Sequence, residues 1–407
     1  MPRRPGKDCT ADSERSNIVE KFRNGGQSQT GRRFFLSRPT RELFALATFH
    51  LRTRQYVLGV LEAVIEQLKQ ELPLSGEQVA QAVASLTDEA VATETKADFL
   101  IALAKKGETV EEISAFAREL REKSTPLPLD AETRAGEILD VCGTGGDHLN
   151  TFNISTTVAL VAAASGVTVA KHGNRAITSK SGSADVLEAL GVPVDQTPEE
   201  AAATLRDQQF AFLFAPHYHP AFKHIGPARK LCAERGQRTI FNFLGPLLNP
   251  ARPTAQLIGV PRADLCEPVA QALKSLGIRR GMVVSGQVGD RHLDELSTLG
   301  DNTIAEFYHD RGFTTSVMSP SDFPLQPVTL EDLQGGDREA NAAIIRALLS
   351  GEDRGPRRDA VLLNAGAALF VAGKTPSVTE GWELAGETID NGRAAEKLKN
   401  LSNASST

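Results

Sequence analysis

From residue 55 the apolar positions keep a helical period. Val57, Leu58, Leu61, Val64, Ile65, Leu68 and Leu72 recur at steps of three and four, and Pro73 closes the run. Ser75 with Gln78 makes a capping-box pattern ahead of Val79, Ala82, Val83 and Leu86. A third helix is predicted over 96–106, stopped by Gly107, and Thr109 with Glu112 opens a fourth along Val110, Ile113, Phe116 and Leu120. The spacing thus predicts a small helical domain over 55–123. The stripe of its first helix is wide enough to serve a partner subunit as well as its own core, and internal core alone explains it equally well. Residues 124–136 (STPLPLDAETRAG) read as a proline-bearing hinge linker.

At Ile138 the pattern changes to strands and helices in alternation. Residues 138–142 predict a buried strand, and Gly143-Thr144-Gly145-Gly146-Asp147 a loop. Ser155 or Thr156 is expected to cap a helix running to about Ala164, with Gly166 ending it. A strand over 167–170 precedes the polar loop Lys171-His172-Gly173-Asn174-Arg175, and another helix begins near Ser183. Helices are predicted over 198–208, 220–235 and 357–373, and strands over 210–215, 257–260, 281–285 and 303–307. The result is an α/β domain over 137–400 and a polar tail over 401–407.

Composition narrows the function classes. The 407-residue chain carries a net charge of −6, which gives no reason to expect nucleic acid or an anionic membrane as partner. No apolar run approaches a membrane span, and four scattered cysteines fit a reducing cytoplasm better than a disulfide scaffold. Residues 1–54 stand apart, with twelve Arg or Lys against five Asp or Glu, and read as a disordered basic extension or as the product of an upstream start codon that is not used.

Candidate chemistry gathers in three places. The two loops after the first strands each bring backbone N–H groups and a helix N-terminus together, an arrangement that suits anions. Neither common nucleotide template fits. His148 stands where a dinucleotide fingerprint needs its third glycine, and no Gly-Lys-Ser/Thr follows. A tight strand-to-helix turn explains GTGGD alone equally well. The third place is Asp294-Glu295, adjacent carboxylates that beside two phosphate-type loops suit a hard divalent cation.

Taken together, these segments resemble the anthranilate phosphoribosyltransferase family. GTGGD (143–147), TFNIST (151–156), KHGNR (171–175), GSADVLEALGV (182–192), RTIFNFLGPLLNPA (238–251) and DELS (294–297) stand in the family's order. KKGETVEEI (105–113) is similar to part of its helical domain. The resemblance implies a nucleoside phosphorylase/phosphoribosyltransferase-like fold, with a small all-α domain, joined by helices from about 198–235, hinged to a mixed-sheet α/β domain. It implies transfer of phosphoribose from phosphoribosyl pyrophosphate to anthranilate, with two magnesium ions, in a cytoplasmic homodimer formed through the helical domain.

By the same resemblance, Gly143, Gly146, Asp147, Thr151, Asn153, Ile154, Ser155 and Thr156 would hold the pyrophosphate and ribose phosphate. Lys171, His172, Gly173, Asn174, Arg175, Ala176, Ile177, Thr178 and Ser179 would close over them, with Ser183 adding a hydroxyl. Gly143, Asn174 and Arg229 would meet anthranilate, and Ser155, Asp294 and Glu295 the magnesium ions. Lys171 and Arg229 would act by charge and position, with no acid–base residue. His172 is open to two roles, contact with the aromatic ring or bystander. Departures from the family pattern are the nine-residue step from Arg229 to Arg238, Thr178 in place of serine and Phe222 in place of methionine. Two other readings compete: a pyrimidine nucleoside phosphorylase-like enzyme, which would not need the paired acids, and a non-catalytic nucleic-acid-binding relative, which would carry a basic groove and eroded loops.

Overall fold

The computed structural model describes residues 59–176, 180–309 and 311–403. Val57, Leu58, the basic extension, Ile177, Thr178, Ser179 and the end of the tail lie outside them. In the helical part, α1 runs over 59–69 of the described residues and is followed by α2 (Gly76–Thr87), α3 (Thr93–Lys106) and α4 (Val110–Glu122). Both predicted capping boxes are formed, Ser75 with Gln78 and Thr109 with Glu112, and Gly107 ends α3 at φ 84°. Leu61, Val64 and Leu68 of α1 are taken up by internal core, while Leu72 lies beyond the helix and is exposed.

Residues 124–136, read as a linker, contain a short helix, α5 (Ala131–Ala135). The Asp130 side chain accepts from Thr133 N and starts it, a local cap that the prolines before it obscured. Then come β1 (Ile138–Gly143), α6 (Ile154–Ala164), β2 (Thr168–Gly173), α7 (Ser183–Ala189), α8 (Pro198–Gln208) and β3 (Phe210–Phe214). They are followed by α9 (Ala215–Tyr218), α10 (Gly226–Glu234), β4 (Ala255–Gly259), α11 (Cys266–Ser275), β5 (Arg280–Val288) and β6 (Arg291–Leu293). The chain ends through β7 (Asn302–Tyr308), β8 (Arg311–Met318), α12 (Arg338–Leu349), α13 (Pro356–Val371), α14 (Val378–Asp390) and α15 (Arg393–Asn403).

Several boundaries differ from expectation. Asn153, not Ser155 or Thr156, occupies the N-cap of α6, and it makes no side-chain cap bond. Lys171, His172 and Gly173 belong to β2 rather than to a loop, because their neighbours bury them as strand residues. The predicted 220–235 helix is a 3-10 turn over Pro220–His224 followed by α10, with Pro227 setting the new start. Strands β6 and β8 carry too little apolar alternation to have been read.

The sheet has the order β3-β2-β1-β4-β5-β7-β8, with β6 paired to β5. Strands β3 to β5 are parallel, and β7 and β8 add an antiparallel edge. The parallel strands read as near-continuous apolar runs because both faces are covered. Leu139, Val141, Val169, Phe212 and Leu257 share a core with α6 and α13. On alternate positions, Cys142, Ile258 and Val283 join a core that includes Phe99 and Phe116 of the helical part. Since β1 leads to β2 on one side and β4 to β5 on the other, the chain reverses direction across the sheet between β1 and β4. In such sheets the crevice at the strands' carboxyl ends is where ligands bind. Among the described residues, no helix is long and apolar enough to cross a membrane.

Candidate active site

At that crevice β1 and β4 both end in glycine, Gly143 opposite Gly259. A Cβ on either would collide with Asp294, and one on Gly286 of β5 would collide with Ser297 and the Glu295 carbonyl. Three neighbouring strand positions are thus bare where the 294–297 segment crosses over their ends. Only glycine permits that approach. The sequence-predicted acids therefore lie directly on the glycine loop, far apart in the chain as they are.

The loop itself bends sharply. Gly145, Gly146, His148 and Asn150 all have positive φ, the two non-glycines at 56°. For residues with a side chain this costs roughly 1–2 kcal/mol each, somewhat less for Asn and His, and the surrounding contacts must offset it. Those contacts are present. The Arg291 guanidinium donates to the Asp147 and His148 carbonyls, at 3.3 and 2.7 Å, and Arg238 donates to the Gly146 carbonyl. Beyond the bend, Gly335 N donates to Asn150 O and Phe152 N to Leu333 O. The Asn341 side chain donates to Asn153 Oδ1 at 2.9 Å, and Asn153 Nδ2 donates to Ser181 O at 3.1 Å. Thr151 forms an isolated bridge with Gln334. Carbonyls tied outward in this way fix the bend and keep the loop's N–H groups on the crevice side, where Gly145 N meets the paired acids.

The acids contact this cradle directly. Asp294 Oδ2 accepts from Gly145 N at 2.6 Å, and Glu295 Oε1 accepts from Ser155 N at 3.2 Å in the first turn of α6. Lys171 reaches under them, with Nζ 2.6 Å from Val141 O and 3.4 Å from Ser155 Oγ. Burial, then the charges of Asp147 and Glu295, push the Asp294 carboxyl well above its ordinary range. Burial also raises Glu295, against the pull of Lys171. Three carboxylates therefore share one crevice, a surplus of negative charge that a cation would relieve. Among the described residues no three His, Cys, Asp or Glu side chains form a ready-made metal cage. An all-oxygen donor set of two acids and the Ser155 hydroxyl still fits magnesium, which keeps waters and takes substrate phosphates as further ligands.

The KHGNR segment leaves β2 and folds against α7. Asp185 Oδ2 accepts from both Ala176 N and Gly182 N at 2.9 Å, and a Cβ on Gly182 would collide with residues 174–176. Asn174 is exposed, with its carbonyl accepting from Ser183 Oγ and Ala184 N. The Arg175 guanidinium turns to Asp185 and Glu188 in ion pairs.

On the side facing the helical part, the rings of His172 and His219 meet edge-on at 5.1 Å, and His219 lies 5.1 Å from Phe222. Phe222 is T-shaped to Phe241 at 5.7 Å, and the Arg229 guanidinium lies 5.4 Å from the Phe241 centroid. Burial lowers the His172 pKa to about 3 and the His219 pKa to about 4, so both rings are neutral at physiological pH. Burial likewise lowers the pKa of Arg229, and among the described residues it has no carboxylate partner. A half-buried guanidinium next to an aromatic array is suited to a planar carboxylate ligand.

Sequence reasoning missed the layer beneath. Asp140 is fully buried in β1, accepts from Asn249 Nδ2 at 2.8 Å, and is raised to about 6 by burial. The same Asn249 nitrogen donates to Ala170 O, and its Oδ1 accepts from Ala251 N. A charged residue in the middle of the apolar run 138–142 is the one signal that could have revealed it.

Known proteins resemble this chain over most of its length. Residues 135–395 match the model of the glycosyl transferase family a/b domain, and residues 62–124 that of the family's helical bundle domain. An anthranilate phosphoribosyltransferase of Geobacter sp. (strain M21) is 49% identical over 320 residues, which cover 75% of this chain and 87% of the relative. One of Petrotoga mobilis is 45% identical over 328 residues, covering 81% and 92%. The crystal structure of the Thermus thermophilus enzyme superposes with a TM-score of 0.76 at 42% identity, covering 84% of this chain and 99% of that one. The Saccharomyces cerevisiae enzyme in complex with PRPP and Mg gives 0.74 at 28% identity, covering 86% and 99%. The chain belongs to the anthranilate phosphoribosyltransferase family.

Proposed function

We propose that the crevice between β1 and β4 binds magnesium phosphoribosyl pyrophosphate, and that the chain transfers its phosphoribosyl group to the amine of anthranilate. The C1–O bond to pyrophosphate breaks, the N–C1 bond forms, and the amine's proton leaves to solvent or pyrophosphate. The products are N-(5-phosphoribosyl)anthranilate and pyrophosphate. One observation carries the reading: the glycine loop, the first turn of α6 and the paired acids converge on the carboxyl ends of adjacent strands.

In this reading Gly143, Gly146, Asp147, Thr151 and 153–156 hold the pyrophosphate and ribose phosphate, and Lys171 supplies a buried positive charge. Residues 172–179 and Ser183 close over the sugar, with Ile177, Thr178 and Ser179 outside the described residues. Ser155, Asp294 and Glu295 hold two magnesium ions, whose chemistry is to neutralise the departing pyrophosphate. Arg229 pairs with the anthranilate carboxylate, and Asn174 and Gly143 complete that subsite. The aromatic amine is neutral at pH 7, so holding it in line with C1 takes the place of a general base.

By the same resemblance we infer a cytoplasmic homodimer built through the helical part, for which sedimentation would give twice 43.7 kDa. The three buried free cysteines of the described residues are compatible with a reducing compartment. The activity is tested by the fluorescence of anthranilate, which should fall only when enzyme, phosphoribosyl pyrophosphate and magnesium are all present. A signal that falls equally in EDTA, or without phosphoribosyl pyrophosphate, would sink the reading.

A further inference from the structure

The two residues after the paired acids are held by side chains from two separate elements. Asn364 on α13 accepts from Leu296 N through Oδ1 at 2.9 Å and donates Nδ2 to Leu296 O at 2.9 Å. Asn302, at the start of β7, treats Ser297 in the same way. Its Oδ1 accepts from Ser297 N at 2.7 Å, and its Nδ2 donates to Ser297 O at 3.0 Å. Each carboxamide thereby engages the N–H and C=O of one residue, as a neighbouring strand would. Both asparagines are wholly buried, and so are Leu296 and Ser297.

The segment needs this support. Strand β6 ends at Leu293, so 294–297 lies outside the sheet ladder while crossing over Gly143, Gly259 and Gly286. Asp294 and Glu295 share the crevice with Asp147, and repulsion between like charges this close favours spreading the turn. An asparagine pair of hydrogen bonds resists that motion without adding charge to a crowded site.

We propose that Asn302 and Asn364 are positioning residues for the divalent cation: they clamp the backbone behind Asp294 and Glu295 so that the two carboxylates stay converged before metal arrives. The proposal rests on the reading of those acids as the metal site. It predicts that loosening the clamp raises the cation concentration needed, beyond any effect on folding.

The test is Mn2+ binding to the protein, followed by the electron paramagnetic resonance of free Mn2+, alongside thermal midpoints. N364L and N302L remove both bonds at similar volume, and N364S and N302S serve if the leucine variants do not fold. T109A, which breaks a cap in the helical part, provides a destabilised control. We expect roughly tenfold weaker Mn2+ binding in the asparagine variants, activity recovered by excess magnesium, and unchanged Mn2+ binding in T109A. Mn2+ binding within twofold of wild type in foldable variants at both positions would overturn the clamp, even if the midpoint falls. The doubly substituted D294A/E295A protein separates the two levels. If it too binds Mn2+ normally, the metal reading fails; if it alone loses binding, only the clamp does.

Discussion

Arg229 is a half-buried guanidinium with no carboxylate partner among the described residues, and burying an unpaired charge is costly. In the proposed subsite the anthranilate carboxylate would complete a charge-assisted pair worth roughly 1.5–3 kcal/mol. Arg229→Ala should therefore raise the Michaelis constant for anthranilate by about 10- to 100-fold, with little change in turnover at saturation. An unchanged saturation curve would remove Arg229 from the subsite. His172 makes a different prediction. Its pKa in the fold, about 3, lies below the ordinary 6.5. Below pH 6.5 the unfolded chain takes up a proton that the folded chain refuses, so the histidine's contribution to stability is full above 6.5 and drains as pH falls toward 3. The slope is up to about 1.4 kcal/mol per pH unit. Asp140, raised to about 6, works in the opposite sense: its contribution is full below 3.8 and lost as pH rises through 6. The difference between two proteins isolates the histidine. Wild type should lose more stability than His172→Gln between pH 7 and pH 5, as read by chemical denaturation, and parallel losses would contradict a buried neutral ring. Residues whose chemistry is unusual for their local sequence, such as the glycine loop and the paired acids, were legible in the sequence. Asp140 and Asn249 were not, because a buried carboxylate and its amide partner leave no trace in hydropathy beyond one polar letter inside a strand.

At the level of elements, local chemistry wrote its own boundaries. The Thr109 cap needs only Glu112 three residues on, and both halves of the box form. Thr109→Ala should cost about 1 kcal/mol in unfolding and leave activity intact; a loss of activity at unchanged stability would contradict a purely local role. Boundaries set by distant neighbours were not legible. Strand β2 extends through Lys171 because Val141 O and Ser155 Oγ accept its ammonium from other elements, so a lysine that reads as loop is buried. Gly259 shows the same dependence. Nothing near it in sequence marks it as special, yet the Asp294 backbone fills the space that a Cβ there would take. Gly259→Ala should lower both the thermal midpoint and the affinity for magnesium, measured by activity titration. If it is tolerated in both respects, the acid turn does not depend on that close approach.

Across the whole molecule, alternation of strands and helices pointed to an α/β domain, but not to the order in which the strands pair. That order matters most for function, because placing β1 between β2 and β4 opens the crevice where residues 143–147, 155 and 294–295 meet. It also joins the two parts of the chain. Phe99 and Phe116 share a core with Ile258 and Val283 of the sheet, and Lys96 Nζ donates to His224 O across the boundary. The family resemblance supplied what periodicity could not, namely which distant segments come together. The central claim is that the converged acids hold the cation through which this crevice grips pyrophosphate. Its most direct test is a magnesium titration of anthranilate fluorescence loss, in wild type and in the Asp294→Ala, Glu295→Ala double variant with phosphoribosyl pyrophosphate fixed. Wild type should show a saturable magnesium requirement, and the variant a turnover at least roughly tenfold lower with its half-saturation displaced to higher magnesium. Superimposable titrations would contradict it.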